Sequence, residues 1–170
     1  MRRLLHLSLL ALLTLPPSAA DGPFRVTPDE ACVVASRLTG TWVPDEALAG
    51  RLGTTARFSR LEFTEDAAVA ELVPERYLEF LRGKPITLAG SLAATTTGGK
   101  KQRHPFLLVG FGGNQNIVVF RERNGDAFGD GESFILTVVP AKERANDLLF
   151  TGGDFNNEPF KAYRRAAESE

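Results

Sequence analysis

Phe106-Leu107-Leu108-Val109 is the first of three short apolar runs that decide the fold class of this chain; the others are Ile117-Val118-Val119-Phe120 and Phe134-Ile135-Leu136-Thr137-Val138-Val139. The residues between them include Asn114-Gln115-Asn116 and Asn124-Gly125, which favour tight turns. Short runs rich in β-branched and aromatic residues, bounded by such turns, are typical of β-strands. Strands joined by tight turns pair antiparallel, so we expect an antiparallel sheet here.

The same pattern extends in both directions along the chain. Gly98-Gly99-Lys100-Lys101 is typical of a flexible basic hairpin tip, and Thr64-Glu65-Asp66 is typical of a polar turn. We count nine candidate strands and expect about eight to form, at residues 41–43, 56–63, 67–73, 86–96, 106–111, 117–123, 134–139, 148–151 and 160–165. An antiparallel sheet of this size hides its edges by closing into a barrel or by stacking as two sheets.

Two helices are predicted around these strands. Thr27-Pro28-Asp29-Glu30 has the form of a capping box and begins a short helix that ends near Leu38. A second helix is predicted within 74–82, where Tyr77, Leu78 and Leu81 keep helical spacing. Because the three apolar runs are apolar on both faces, their outer side needs a cover. Either these helices or a self-association surface provides it.

The first twenty residues have the features of a secretory signal peptide. Met1-Arg2-Arg3 is basic, residues 4–15 are rich in leucine, and Ser18-Ala19-Ala20 offers small residues for cleavage. We therefore expect a signal peptide at 1–20, a single domain at 21–170, and an exported protein that is periplasmic or secreted. The apolar run is too short to span a bilayer with ease, and no later run is longer, so no membrane span is predicted.

Composition excludes several classes of function. Removing Arg2 and Arg3 from the 20 basic residues leaves 18 against 21 acidic residues, a net charge of −3, which does not favour nucleic-acid binding. From residue 21 onward the chain has one cysteine, Cys32, and one histidine, His104. This excludes disulfides within the chain and zinc sites of the Cys/His kind. We expect a monomer with no cofactor, no metal and no catalytic residue.

A glycine-rich acidic stretch at 124–132 is the one candidate calcium site. Counting from Asn124, Phe128 stands at the fifth position and Ile135 at the twelfth, so two ligands of an EF-hand loop are missing. We interpret the stretch as a solvated hairpin loop and expect no rise in melting temperature with millimolar calcium. A rise of several degrees would overturn this interpretation. The acids concerned are Asp126, Asp130 and Glu132.

The segment Leu38-Thr39-Gly40-Thr41-Trp42 follows a predicted helix and precedes the strands, and its L-x-G-x-W pattern resembles the first strand of lipocalin-like (calycin-type) β-barrels. The chain is most similar to exported lipocalin-like domains of bacteria. The resemblance implies an all-β, antiparallel up-and-down barrel of about eight strands. With the two helices predicted above, we expect this barrel to carry a short N-terminal helix and one inserted helix, the latter being a departure from the family pattern. It also implies that Gly40 and Trp42 take part in barrel closure, with an arginine on the indole ring. Arg164 and Arg165 are both candidates, because neighbours on a strand point to opposite faces.

From these observations we expect an exported, non-enzymatic binding module. Its partner is either an apolar small molecule in the barrel or an envelope or extracellular protein at the loops. The alternative is a secreted inhibitor or interaction domain with a filled barrel core, which the 12 phenylalanines favour. A small secreted hydrolase is the third class, and one histidine without a reactive cysteine supports it poorly.

Overall fold

Within the described residues, a computed structural model shows eight strands that form a closed antiparallel barrel. The structure describes residues 28–81, 84–111, 114–152 and 159–167. Each strand pairs with the next along the chain, and the last returns to the first, with Trp42 opposite Arg165. The all-β barrel predicted from the sequence is confirmed. The strands are β1 Gly40–Pro44, β2 Phe58–Glu65, β3 Ile86–Thr96, β4 Lys101–Phe111, β5 Asn114–Arg123, β6 Asp126–Val139, β7 Leu148–Gly152 and β8 Lys161–Arg165.

Four short α-helices accompany the barrel in the described part of the chain, together with a single 3-10 turn at Arg144–Asn146. The sequence predicted two of these helices, α1 and α4. The proposed cap of α1, Thr27, lies outside the described residues. The helices are α1 Pro28–Leu38, α2 Glu46–Leu52, α3 Ala68–Glu71 and α4 Glu75–Leu81.

The candidate strand at 67–73 is wrong, because this segment forms α3. Short apolar runs do not distinguish a helix from a strand by their periodicity, and alanine favours the helix. The Asp66 carboxylate accepts a hydrogen bond from the backbone N–H of Ala68 at 3.1 Å, which starts the turn. β2 and β3 are consequently joined through α3 and α4 rather than by a hairpin at 64–66.

α2 was not predicted, although its ends carry recognisable signals. The Asp45 side chain accepts a hydrogen bond from the backbone N–H of Leu48 at 2.9 Å. Gly53 ends the helix in the left-handed conformation, with φ of 64°. The helix is short and follows β1 directly, so its apolar spacing was too brief to be recognised.

Two predicted loops lie within strands instead. Asn114-Gln115-Asn116 begins β5, and Gly112 and Gly113, which precede it, lie outside the described residues. In the acidic stretch, Asn124 and Gly125 alone form the turn, with φ of 56° and 81°. A two-residue turn of this kind matches the twist of a hairpin, so β6 pairs with β5 from Asp126 onward.

Two apolar clusters lie on opposite sides of the barrel wall. The interior cluster contains Trp42, Phe63, Phe106 and Leu136 together with Val34 and Leu38 of α1. α1 therefore packs onto the barrel interior at one end and does not cover the outer face. In the outer cluster, α3, α4 and the short link between these two helices pack against the outward side chains of β3 to β6. The buried members are Val73, Leu81, Ala89, Leu107, Val109, Val118, Phe120 and Phe128.

Candidate functional site

The barrel encloses a cavity of about 220 Å³. Its walls are inward-facing side chains, which alternate along each strand with side chains of the outer face. Trp42 and Phe106 fill the interior elsewhere and are fully buried. The aromatic residues therefore fill only part of the interior. The apolar wall consists of Phe58, Leu61, Phe63, Leu92, Ala94, Ile117, Val119, Phe134, Leu136 and Tyr163.

The size of the cavity limits what it can hold. A cavity of about 150 Å³ engineered into another protein accommodates benzene. Sites for drug-sized ligands are about 300–1,000 Å³. At 220 Å³, this cavity suits a ligand with a short chain or a single ring.

Polar side chains surround the cavity at the end of the barrel opposite α1. They come from the ends of strands: Arg57 precedes β2, Arg121 lies near the end of β5, and Lys161 begins β8. Arg121 donates to Glu132 at 2.5 Å, and both side chains are close to half exposed. This end is thus the mouth of the cavity. Its polar residues are Arg57, Gln102, His104, Arg121, Glu132, Thr151 and Lys161.

His104 lies in the wall of this mouth as a neutral imidazole. Burial lowers its pKa below the ordinary value of 6.5, Arg121 lowers it further, and a hydrogen bond to the Phe120 backbone acts in the opposite direction. Its Nδ1 atom is buried and has no hydrogen-bond partner among the described residues. At neutral pH this side chain adds no charge to the mouth.

The opposite end of the barrel is closed by an arginine stacked on an indole ring. The guanidinium carbon of Arg165 lies 4.0 Å from the ring centroid of Trp42. Trp42 donates its Nε1–H to the Leu38 carbonyl at 2.8 Å, which ties the ring to α1. Arg165 donates to the Thr39 carbonyl at 2.6 Å and also to the Arg37 carbonyl. This single side chain therefore joins β8 to the end of α1.

Gly40 is required for this stacking, and Arg164 takes no part in it. A Cβ atom at residue 40 would lie 2.5 Å from Nη1 of Arg165, and its φ of 116° is one that other residues rarely adopt. Arg164 is exposed and pairs with Val43 across the β1–β8 ladder. Of the two arginines, Arg165 lies over the indole ring.

A buried carboxylate completes the closed end. Asp147 has no exposed surface, and its Oδ1 accepts from the Arg37 guanidinium at 2.8 Å and from the Ala141 backbone at 2.9 Å. Its Oδ2 lies 3.8 Å from Nη2 of Arg165. The Asp147 carboxylate is held by arginines and is remote from the cavity mouth.

Tyr163 is buried in the cavity wall, and we expect its ionisation to lower the stability of the protein in alkali. Burial raises its pKa to about 12, and a hydrogen bond with the Phe58 backbone acts in the opposite direction. In the unfolded chain the Tyr163 phenol ionises near pH 10. Between about pH 10 and 12 the free energy of unfolding should therefore fall, and this group contributes up to about 1.4 kcal/mol per pH unit to the loss. Below that range the phenol is neutral in both states, and this contribution is constant.

Urea unfolding of the native protein and of Tyr163→Phe, at about pH 9 and about pH 11, measures this loss. We expect the variant to lose less stability than the native protein over the same interval. Equal losses in the two proteins would show that Tyr163 does not contribute.

The acids of the 124–132 stretch are engaged by arginines. Asp126 accepts from Arg76 at 2.5 Å, and this hydrogen bond lowers the pKa of the carboxyl group. Asp130 pairs with Arg123 at 3.2 Å. No group of three or more metal-ligating side chains occurs in the described ranges. A calcium titration of the melting temperature remains the test of this stretch.

No helix within the described ranges has the length and apolar character needed to cross a lipid bilayer.

Comparisons of the chain with models of known protein families, with curated proteins and with solved structures found no match.

Proposed function

We propose that this protein is an exported, lipocalin-like binding protein that holds a small apolar molecule inside its barrel. The observation that carries the proposal is the apolar cavity of about 220 Å³. Burial of apolar ligand surface in such a cavity contributes about 25 cal/mol per Å². The lipocalin-like assignment rests on the Gly40, Trp42 and Arg165 closure, and export rests on the signal-like sequence of residues 1–20.

The proposed role is ligand binding without catalysis. At the cavity mouth, Glu132 is engaged by Arg121, and His104 is a neutral imidazole. The described lining residues include no serine and no cysteine. General acid–base or nucleophilic catalysis needs a converging set of such groups. The geometry supports a carrier or scavenger better than it supports a hydrolase.

A second candidate function is protein binding at the outer surface. Two exposed leucines in the segment of α3 and α4 favour it. Leu72 is 65% exposed and Leu78 is 47% exposed. Both leucines belong to the helical segment between β2 and β3, and exposed apolar patches are typical of interaction surfaces.

A dye titration with a cavity-filling variant tests the proposal. The neutral, environment-sensitive single-ring dye 4-(dimethylamino)benzonitrile should bind the native protein with one-to-one saturation and be displaced by 1-octanol. Ala94→Phe should weaken dye binding by about tenfold or more, because Ala94 lines the cavity and is 2% exposed. The matched control is Ala93→Phe, since Ala93 pairs with the exposed residues Glu62 and Arg103 on the outer face.

Both variants are first checked for cooperative unfolding, so that a folding defect is not mistaken for loss of binding. Dye binding that survives in a folded Ala94→Phe variant would place the dye outside the barrel and contradict the proposal. Absence of binding by the folded native protein would favour the protein-binding alternative.

A further inference from the structure

We propose that the mouth end of the barrel docks onto a membrane that contains anionic lipids, through a basic surface beside the cavity mouth. This inference goes beyond the proposed function, because membrane binding can be measured whether or not the cavity holds a ligand. It is carried by five exposed cations on two neighbouring segments. We call these residues the basic rim: Arg51, Arg57, Lys100, Lys101 and Arg103.

The two segments that carry the basic rim lie at the same end of the barrel. One is the connection from β1 to β2, which contains α2, and the other is the hairpin tip between β3 and β4 with the start of β4. Phe58, at the start of β2, pairs with Thr96, at the end of β3. The Thr97 backbone N–H also donates to the Arg57 carbonyl at 3.3 Å. A surface that approaches this end therefore meets both segments.

Positive charge is in excess on these two segments. Residues 45–57 and 97–103 contain the five cations of the basic rim but only two acids, Asp45 and Glu46. The Asp45 side chain already accepts from the Leu48 backbone N–H as the cap of α2. The chain as a whole is almost balanced, with 20 basic and 21 acidic residues. The excess is therefore a local feature and does not reflect the overall composition.

The cations of the basic rim have no carboxylate partner within the described ranges. The guanidinium carbon of Arg57 lies 5.6 Å from the ring centroid of Phe58, and Arg103 donates to the Ser91 hydroxyl at 2.9 Å. Neither contact neutralises a charge. All five cations thus stay available to an anionic partner.

The hairpin between β5 and β6, at the same end, does not offset this excess. Its acids Asp126, Asp130 and Glu132 are each paired with an arginine. Glu122 adds one further negative charge to that hairpin. On the side of β2 to β4, the mouth end therefore presents a positive potential.

The basic rim fits an extended anionic surface with an apolar layer beneath it. Its cations are spread over two segments, so they match many lipid head groups rather than one small anion. A Cβ atom at Gly99, in the hairpin tip, would meet nothing within 4 Å, so this tip projects from the barrel. Leu52, beside Arg51, is 45% exposed and offers an apolar side chain to the head-group layer. A nucleic acid has no such layer, so a membrane matches both features.

Flotation with lipid vesicles tests this inference. Vesicles of phosphatidylcholine alone are compared with vesicles of phosphatidylcholine and phosphatidylglycerol in equal parts. At low salt we expect binding to the anionic vesicles to be at least about tenfold stronger, because each cation near such a surface contributes about fivefold. Salt at about 0.5 M should remove most of the difference, since the Debye length then falls to about 4 Å.

The double variant Lys100→Gln/Lys101→Gln removes two cations of the basic rim, and neither lysine is among the described lining residues of the cavity. It should weaken binding to the anionic vesicles by about tenfold or more. The matched control is Lys142→Gln/Arg164→Gln, which removes two exposed cations at the closed end and changes the net charge equally. The control should bind within about twofold of the native protein, because its sites lie beyond the Debye length. Residues 1–20 are the same in every variant, so the comparison isolates the basic rim.

The apolar part of the contact is tested by Leu52→Ser. Partial burial of the leucine side chain in the head-group layer predicts a loss of about fivefold in binding to the anionic vesicles. Leu72→Ser is the matched control, because Leu72 is 65% exposed and follows α3 rather than lying at the mouth. It should leave vesicle binding unchanged. Every variant is first checked for cooperative unfolding.

The possible results separate this inference from the proposed function. Equal binding to neutral and anionic vesicles, or a Lys100→Gln/Lys101→Gln variant that binds as tightly as its control, would overturn membrane docking. Binding to heparin without binding to vesicles would assign the basic rim to a soluble polyanion and would also overturn it. Vesicle binding by a folded native protein that binds no dye would overturn the proposed function alone.

Discussion

Replacing Trp42 with alanine is expected to lower the free energy of unfolding by about 3–5 kcal/mol. The side chain is fully buried, donates to the Leu38 carbonyl at 2.8 Å and packs under the Arg165 guanidinium. The substitution removes the largest side chain of the interior cluster and leaves a void at the junction of β1, β8 and α1. Urea unfolding followed by circular dichroism measures the change.

Two further variants show how the result for Trp42→Ala is to be interpreted. Trp42→Phe keeps most of the apolar volume but leaves the Leu38 carbonyl without its donor, so a smaller loss of about 1–3 kcal/mol is expected. Leu72→Ala, at a residue that is 65% exposed, should change stability by no more than about 0.5 kcal/mol. A Trp42→Ala variant as stable as Leu72→Ala would contradict the account of barrel closure.

Replacing Asp147 with alanine should have an effect of similar size, a loss of about 3–5 kcal/mol. Its carboxylate has no exposed surface and bonds to Arg37 and to the Ala141 backbone, with Arg165 close by. Without it, positively charged guanidinium groups would face each other at the closed end with no anion between them. Chemical denaturation at neutral pH measures the loss.

The matched control is Asp130→Ala, which breaks an aspartate–arginine pair of which both members are more than half exposed. Exposed pairs contribute about 0–1 kcal/mol, so this variant should remain close to the native protein. If Asp147→Ala were as mild as Asp130→Ala, the buried network would not hold α1 to the barrel.

The regular part of the fold could be predicted from the sequence because strand and turn signals agreed. Residues 86–96 were predicted as a strand, and β3 has the same bounds. Asn124-Gly125 was recognised as a turn, and both residues have positive φ. Where local signals conflicted, prediction failed: residues 67–73 are apolar enough for a strand, but α3 forms there and contributes to the outer cover.

The candidate site could be predicted only in part. Gly40 and Trp42 stand in a recognisable pattern, but strand alternation alone could not distinguish Arg164 from Arg165, since that choice depends on the β1–β8 register. Asp147 follows a 3-10 turn and belongs to no periodic pattern, so no sequence signal marked it as buried. The cavity depends on how inward side chains from several strands pack together, which composition does not determine.

The central claim is that a small molecule binds inside the barrel, and two neighbouring valines on β5 test it most directly. Val119 lines the cavity, whereas Val118 belongs to the outer cluster. Methyl NMR spectra recorded during titration with 1-octanol report on both faces of the same strand. The account predicts large shifts for the Val119 methyl groups and small shifts for those of Val118. Shifts confined to Val118 and the outer cluster, or no shifts at a high 1-octanol concentration, would contradict it.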